Sequence, residues 1–239
     1  QNSIAGLQWC TQNADEDWGN NDSSEGIDII SMSLGSASAP NSNDPGDDGT
    51  SAEARAANDA VNASIVVVVA MGNDGRRRVP SPASADLVIS VAAIDDADTV
   101  DRADDAHASY SNTGPRESDG DDDDWDELKP DVAAPGSDIY APEFAAGGGD
   151  LIFAKPLADD GYVSMDGTSM ATPHVSGLVA LMLQMKPSLD PQEIKDLLRN
   201  NSEVRGEPDM AEVSPVWDEQ YGFGIVDGSL LLAAIQSGG

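Results

Sequence analysis

The chain has 239 residues and a formal net charge of −32, from 44 acidic and 12 basic side chains. This length suits one α/β domain with a sizeable core. A charge so negative excludes nucleic acid and anionic membranes as expected partners. No apolar stretch approaches the roughly 20 residues that cross a bilayer. The single cysteine, Cys10, excludes an internal disulfide.

The acidic excess also bears on the conditions in which the chain folds. At ordinary ionic strength, repulsion between the carboxylates would destabilise the compact state. In molar salt the Debye length falls to about 3 Å and the repulsion is screened. We therefore expect a protein from a salt-adapted source. An acidic disordered chain is the alternative, and the regular patterns below argue against it.

The first half of the chain predicts alternating helices and strands. Residues 3–13 have the spacing of a short amphipathic helix, and residues 27–34 are typical of a buried strand. Alanines at helical spacing predict a helix at 51–63, followed directly by a β-branched strand at 65–70. A third strand is expected at 87–94. This order at short spacing predicts a mostly parallel sheet covered on both faces, in an α/β fold.

The second half begins with two irregular segments. Residues 117–127 include Asp121 to Asp124 and predict an acidic loop, where a solvated charge run is favoured over a cation site. A glycine-rich excursion is expected at 143–160. A long apolar helix should follow at about 168–184. Residues 190–193 read Asp-Pro-Gln-Glu, a cap, a first-turn proline and an acid that together predict another helix start.

A serine stands where the long helix begins, in the string Gly-Thr-Ser-Met-Ala-Thr-Pro-His at 167–174. Gly167 permits a close backbone approach, and the helix N-terminus offers unpaired amides and a positive dipole end. That environment favours negative charge developing beside the Ser169 oxygen. A serine at a helix start is by itself more often an N-cap than a nucleophile. The whole string, however, resembles the nucleophile motif of the subtilase family of serine proteases (peptidase S8), and the acidity resembles its halophilic, halolysin-like members.

The resemblance extends in order along most of the chain. Residues 33–36, Ser-Leu-Gly-Ser, are similar to the family segment that pairs with substrate backbone and walls the specificity pocket. Residues 70–75 resemble the second wall, where Asn73 matches the side-chain donor to the oxyanion, although an isolated Gly-Asn pair would predict only a turn. Segments at 110–114, 129–136 and 221–227 resemble scaffold signatures of the family. The implied site residues are the nucleophile Ser169, the oxyanion donor Asn73, and the substrate-binding Ser33, Leu34, Gly35, Ser36, Ala70, Met71 and Gly72.

The resemblance implies no required cofactor, with a structural calcium ion as an option. In the family, the position matching Asp131 can contribute to a weak cation site with nearby carbonyls, here around Ala85 and Val88. Ca²⁺ takes several oxygen ligands, and one carboxylate supplies little of that set.

The residues that would activate the serine are the missing part of the pattern. A subtilase triad needs a base and an acid that orients it. The family carries them upstream on Asp-[Ser/Thr]-Gly and His-Gly-Thr-His segments, and neither motif occurs here. Of the two histidines, His174 matches a non-catalytic motif position and His107 falls in a region that resembles a surface turn. Asp48-Gly49-Thr50 is a scrambled acid motif that predicts a turn.

The order of the matches implies that residues 1–239 are a partial subtilase catalytic domain. It would be the C-terminal two-thirds of a three-layer subtilisin-like fold whose N-terminal part is missing. A missing N-terminal segment or an oligomer would then complete the sheet.

Two functions follow from these observations. The first is a secreted serine endopeptidase that hydrolyses peptide or protein substrates by acyl transfer, with this chain alone inactive or weakly active. The alternative is a non-catalytic subtilase-like scaffold that binds peptides or a partner protein through the strand edge at 33–36. Peptide specificity is not predicted. Arg76 to Arg78 could favour acidic substrates, but exposed counter-charges are the simpler interpretation.

Overall fold

The computed structural model of the chain describes residues 2–17, 26–37, 43–142, 154–156 (backbone only), 162–207 and 215–237. The helices are α1 (Asn2–Gln12), α2 (Ala52–Asn62), α3 (Thr168–Met185), α4 (Pro191–Asn200) and α5 (Gly228–Ser237), with a 3₁₀ turn at Arg102–Asp104. The strands are β1 (Ile29–Met32), β2 (Val66–Ala70), β3 (Ile89–Asp95), β4 (Ala106–His107), β5 (Val132–Pro135), β6 (Ile139–Pro142), β7 (Ala154–Pro156) and β8 (Tyr162–Met165).

The central sheet is mostly parallel, as the sequence predicts. Strands β1, β2, β3 and β5 are parallel neighbours in that order, and β4 is antiparallel to the end of β3. The register places Ile29 opposite Val66, and Val91 opposite Val132. Among the strands that the structure describes, β1 is paired on one side only, with β2.

Helices cover both faces of this sheet, because its strands are apolar on both sides. In β2, Val67 and Val69 pack in one core with α1 and α2. The alternate residues Val66 and Val68 pack in a second core with α3, α4 and α5. The α/β fold with helices on both sides of the sheet is therefore confirmed.

The structure also contains elements that the sequence patterns did not predict. A second, antiparallel sheet has the order β6-β8-β7, and α5 follows the 221–227 segment. The strands of this sheet have only three or four residues, too few for a clear period. Residues 117–127 form no helix or strand, and Asp121 to Asp124 are exposed, as predicted. The predicted excursion at 143–160 lies outside the described residues, apart from β7.

Three elements converge at the carboxyl edge of the central sheet. The chain leaves β1 at Ser33 and β2 at Met71, and α3 begins beside both ends. In open α/β sheets this edge is where ligands bind. None of the helices in the described part of the chain is long and apolar enough to cross a membrane.

Candidate active site

Ser169 is the second residue of α3 and is partly exposed. Its Oγ donates a hydrogen bond to the Ser33 carbonyl oxygen at 3.3 Å, and the Ser33 hydroxyl donates to the Ser169 carbonyl oxygen at 2.7 Å. The backbone N–H of Ser169 lies in the first helical turn, where amides have no intrahelical partner. The start of α3 is thus fixed to the end of β1 with a hydroxyl and an amide together at the edge of the sheet.

Asn73, just after β2, is held in one orientation by Thr168. Its Oδ1 accepts hydrogen bonds from the backbone N–H and the hydroxyl of Thr168, both at 2.9 Å. The Thr168 Oγ1 also accepts a hydrogen bond from the Gly72 amide at 3.1 Å. Because the amide oxygen is occupied in this way, the Nδ2 group is directed away from Thr168. Nδ2 is 3.4 Å from the position that a Cβ on Gly167 would take, so glycine keeps this approach open.

A cavity of about 220 Å³ lies beside Ser169. Residues 34–37 form one wall, and the opposite wall includes Ala70, Gly72 and Asn73. The predicted substrate-binding residues Leu34, Gly35, Ser36, Ala70 and Gly72 all line this cavity. Ser33 instead contacts Ser169 directly.

The prediction for Met71 needs correction. Its side chain is fully buried in the core shared with α1 and α2. Both of its backbone groups are also occupied, because the amide donates to Val91 and the carbonyl accepts from Asn112 Nδ2. Met71 therefore does not line the cavity, and its buried side chain supports the wall from behind.

In this wall, position 72 requires glycine. Its φ is +93°, and a Cβ there would lie 2.7 Å from Asn112 Nδ2. Asn112 in turn accepts a hydrogen bond from the Asp74 amide at 2.8 Å. The scaffold signature at 110–114 thus has a local role, since its asparagine fixes the backbone on either side of Asn73.

Arg78 closes the cavity, which the sequence did not predict. Its side chain is only 3% exposed, so its interpretation as an exposed counter-charge is wrong. One guanidinium nitrogen donates to the Ser36 carbonyl at 3.0 Å, and another lies 3.2 Å from the Asp74 carboxylate. The guanidinium therefore links the two walls. It also pairs with Asp44 at 3.1 Å, and this pair, together with the Gly46 amide, lowers the pKa of Asp44.

A second cavity, of about 440 Å³, opens on the other side of Ser169. Besides Asn73 and Ser169, its lining consists of Tyr110, Met165, Asp166 and Met170. The Tyr110 hydroxyl accepts a hydrogen bond from the Gly167 amide at 3.2 Å, and burial raises the pKa of this phenol. Ser169 and Asn73 therefore stand between two cavities, an arrangement that accommodates an extended chain passing across the serine.

Neither histidine is hydrogen bonded to Ser169 in the described structure. His174 Nδ1 lies 2.9 Å from the Met170 carbonyl oxygen, on the exposed face of α3. His107, in β4, packs edge-to-face against Tyr221 with 5.9 Å between the ring centroids. In the scrambled acid motif, the Asp48 carboxylate accepts the amide and hydroxyl of Thr50, which lowers its pKa and forms the expected turn.

The calcium option at Asp131 does not fit the structure. This carboxylate is fully buried and lies 3.4 Å from the ammonium of Lys129, 3.4 Å from that of Lys195 and 2.7 Å from the guanidinium of Arg199. The Val88 carbonyl expected beside a cation accepts hydrogen bonds from the same two lysines. Protein cations thus already occupy the oxygens that a metal ion would need.

The geometry of the site is compatible with a class of enzyme. A serine at a helix N-terminus beside an oriented side-chain amide, at the carboxyl edge of a parallel sheet, is an arrangement that serine hydrolases of α/β fold can use.

Comparison with known proteins gives the family. The family description Peptidase S8, the subtilase family, matches residues 3–224, and the chain belongs to this family. Serine protease AprX of Bacillus subtilis is 36% identical over 202 residues, covering 84% of this chain and 42% of that protein. Subtilisin DY of Bacillus licheniformis is 30% identical over 208 residues, covering 85% of this chain and 56% of that protein.

A solved structure supports the same fold. A protease from Pseudoalteromonas arctica superposes with a TM-score of 0.64 at 26% identity, covering 98% of this chain and 59% of that one. The chain therefore spans about half the length of the relatives that it matches.

Proposed function

We propose that residues 1–239 are the nucleophile-bearing part of a subtilase serine endopeptidase. Ser169 Oγ attacks the peptide carbonyl carbon, and the resulting oxyanion accepts hydrogen bonds from Asn73 Nδ2 and the Ser169 amide. The base that took the Ser169 proton gives it to the amide nitrogen as the intermediate collapses, the C–N bond breaks and the amine leaves, and water then hydrolyses the ester left on Ser169. The observation that carries the proposal is the double hydrogen bond from Thr168 to Asn73 Oδ1, which directs Nδ2 away from Thr168 beside the serine.

The substrate would lie between the two walls. We propose that its backbone pairs with residues 33–36, and that the side chain before the cleaved bond enters the cavity closed by Arg78. Segments after the cleaved bond would lie in the cavity lined by Met165 and Met170.

The proton on Ser169 requires a base that the described contacts do not supply. Its hydroxyl donates to the Ser33 carbonyl, which is not basic enough to accept the proton at neutral pH. Positioning and the oxyanion donors alone leave about 10³–10⁴-fold catalysis over water. We therefore propose that the base and its orienting acid come from another segment or another polypeptide.

The open edge of β1 is the place proposed for that segment. In the described part of the chain, this strand is paired with β2 alone, and it leads directly to Ser33, which touches Ser169. A strand added there would complete the sheet and bring its own side chains beside the nucleophile.

The setting of this activity is also proposed. A net charge of −32 supports a salt-adapted source, and we propose a secreted enzyme acting on peptides or proteins in concentrated salt.

A non-catalytic scaffold is the second candidate. The observation that favours it is the pairing of the Ser169 hydroxyl with a backbone carbonyl in place of a histidine. Such a protein would bind extended peptides along residues 33–36 without cleaving them.

A fluorophosphonate probe, which reacts with activated serines, separates the two candidates. The chain is incubated at about 3 M KCl, alone and together with a polypeptide that carries the Asp-[Ser/Thr]-Gly and His-Gly-Thr-His segments of a subtilase. We expect slow labelling or none alone, and fast labelling when the added polypeptide supplies base and acid. Ser169→Ala should abolish the labelling, and Asn73→Leu should slow it by about 10²–10³.

Two results would contradict the proposal. A folded circular dichroism spectrum with no labelling in either mixture would leave the scaffold as the function. Coding sequence upstream of Gln1 without Asp-[Ser/Thr]-Gly and His-Gly-Thr-His segments would refute the partial-domain account.

A further inference from the structure

Three oxygen atoms converge in the interior between β3, β5 and α4. They are the carbonyl oxygens of Asp86 and Val88 and one carboxylate oxygen of Asp131. The Lys195 Nζ lies 2.6 Å from the first, 2.9 Å from the second and 3.4 Å from the third. An ammonium group has three N–H donors, so one lysine matches the whole set.

A second lysine shares the two carbonyl oxygens and contacts the other oxygen of the same carboxylate. Lys129 Nζ lies 3.1 Å from the Val88 carbonyl oxygen, 3.4 Å from that of Asp86 and 3.4 Å from the other Asp131 carboxylate oxygen. Both lysine side chains are buried, at 0% and 3% exposure. Long flexible stems therefore deliver two lysine nitrogens to the Asp86 carbonyl oxygen and to oxygens of the fully buried residues Val88 and Asp131.

The remaining acceptor positions of Asp131 are also filled. Its Oδ2 accepts the amide and hydroxyl of Ser90 at 2.7 and 2.8 Å, and its Oδ1 accepts Arg199 Nε at 2.9 Å. The Arg199 guanidinium lies 4.6 Å from the ring centre of Phe223 and 5.4 Å from that of Trp125. These aromatic faces favour a cation at this place.

We infer that Lys129 and Lys195 take the place of a bound metal cation at this oxygen cluster, so that this part of the fold is stable without calcium. Buried carbonyl and carboxylate oxygens that converge on one point need a positive partner. Ca²⁺ would require six to eight oxygens at about 2.3–2.6 Å. It would also have to enter beside the Arg199 guanidinium and displace two lysine nitrogens from these oxygens. The inference concerns folding and does not depend on the proposed peptidase activity.

In a neighbouring cluster of carboxylates, a protein cation likewise lies where a metal ion could bind. The carboxylates of Asp86, Asp119 and Asp126 lie within metal-binding distance of one another. The Arg116 guanidinium sits among them at 3.1, 3.4 and 2.8 Å, and its side chain is 0% exposed. Asp86 joins the two clusters, since its backbone oxygen accepts from the lysines while its carboxylate faces Arg116.

Thermal unfolding with Ca²⁺ and with Mg²⁺ tests the inference. Mg²⁺ screens charge equally but keeps several of its waters, so the difference between the two ions reports a specific calcium site. Wild type is compared with Lys129→Met/Lys195→Met, at constant ionic strength set with choline chloride. We expect no Ca²⁺-specific shift at this site in wild type, and a Ca²⁺-specific rise in Tm of about 2–4 °C that appears only in the double variant. A Ca²⁺-specific shift in wild type that equals or exceeds that of the variant would overturn the inference.

Reductive methylation of the native full chain gives a second readout that needs no variant to fold. Lys186, which is partly exposed, should be methylated at every calcium concentration and serves as the internal control. Lys129 and Lys195 should stay protected in the absence of calcium and equally at saturating calcium. Methylation of either one that increases with added Ca²⁺ would show that the metal displaces it, and would overturn the inference.

Discussion

Thr168 decides the direction of the amide that the proposed mechanism needs. An asparagine side chain is a donor at one end and an acceptor at the other, and only the donor end can stabilise an oxyanion. Thr168 binds the acceptor end twice and is itself fully buried. The middle residue of the Gly-Thr-Ser string is therefore the positioning residue for Asn73, which lies 95 positions earlier in the chain.

His107 makes the stability of the fold depend on pH. Burial lowers the pKa of this imidazole, and its buried Nε2 has no hydrogen-bond partner among the residues that the structure describes. Its pKa in the folded state therefore lies below the unfolded value of about 6.5. Below that pH the unfolded chain binds more protons, so the contribution is fully present above about pH 6.5 and is lost as the pH falls through the folded pKa.

Replacing His107 by Gln should flatten the pH dependence of stability below about pH 6.5. The measurement is the urea midpoint at several pH values between 7 and about 5, in constant KCl. His174→Gln is the matched control, because that ring is exposed on α3, and it should keep the wild-type slope. Equal slopes for both variants would mean that burial of His107 does not govern this pH dependence.

At the scale of elements, α4 has a capping box at its N-terminus and carries two of the cations that surround Asp131. The Asp190 carboxylate accepts the Glu193 amide at 2.8 Å, and the Glu193 carboxylate accepts the Asp190 amide at 3.0 Å. This capping box fixes where the helix begins. It thereby sets which face carries Lys195 and Arg199 into the interior, beside the apolar Ile194.

Removing the cap should destabilise the protein while leaving the charged side chains around Asp131 in place. Asp190→Ala should lower the free energy of unfolding by about 1 kcal/mol, within a range of about 0.5–2. Asp196→Ala removes an equal charge from the exposed face of the same helix and is the control. Urea unfolding of the two variants in high salt provides the measurement, and equal losses would contradict the capping role.

The β1 edge shows how elements share one site. Ser33 directly follows this strand and is hydrogen bonded to Ser169, so the strand and α3 hold the nucleophile together. Ser176 Oγ also donates to Ser31 Oγ at 2.8 Å, two turns further along the helix. A strand added at this open edge would therefore act on the site through contacts that already exist.

At the scale of the molecule, the net charge of −32 should make stability depend strongly on salt. The Debye length falls from about 10 Å at 0.1 M to about 3 Å at 1 M, which removes most repulsion between separated carboxylates. We expect the thermal midpoint to rise steeply up to about 1 M KCl and less steeply beyond.

NaCl at equal ionic strength is the control for this prediction. Screening depends on ionic strength alone, so the two salts should give the same curve. A midpoint that stays flat from about 0.1 to 3 M would argue against salt adaptation. A constant rise without a bend would instead indicate an effect of salt on apolar hydration.

The sequence by itself determined the layered α/β fold and located the nucleophile candidate. Local patterns were enough for the fold class, because apolar periodicity predicts the main elements and a helix between successive strands favours parallel pairing. The resemblance of the 167–174 string and of the 70–75 segment to subtilase motifs pointed to Ser169 and Asn73. Their neighbours in the cavity walls followed in the same way.

Only the tertiary structure decided what these side chains touch. The burial of Arg78 across the cavity, the inward position of Met71 and the two lysines at Asp131 all depend on contacts between segments far apart in the chain. The sequence gives the type of a charged residue but does not show whether its side chain is solvated or buried. Its environment is fixed by packing, and burial is what turns an arginine or a lysine from a surface charge into a structural cation.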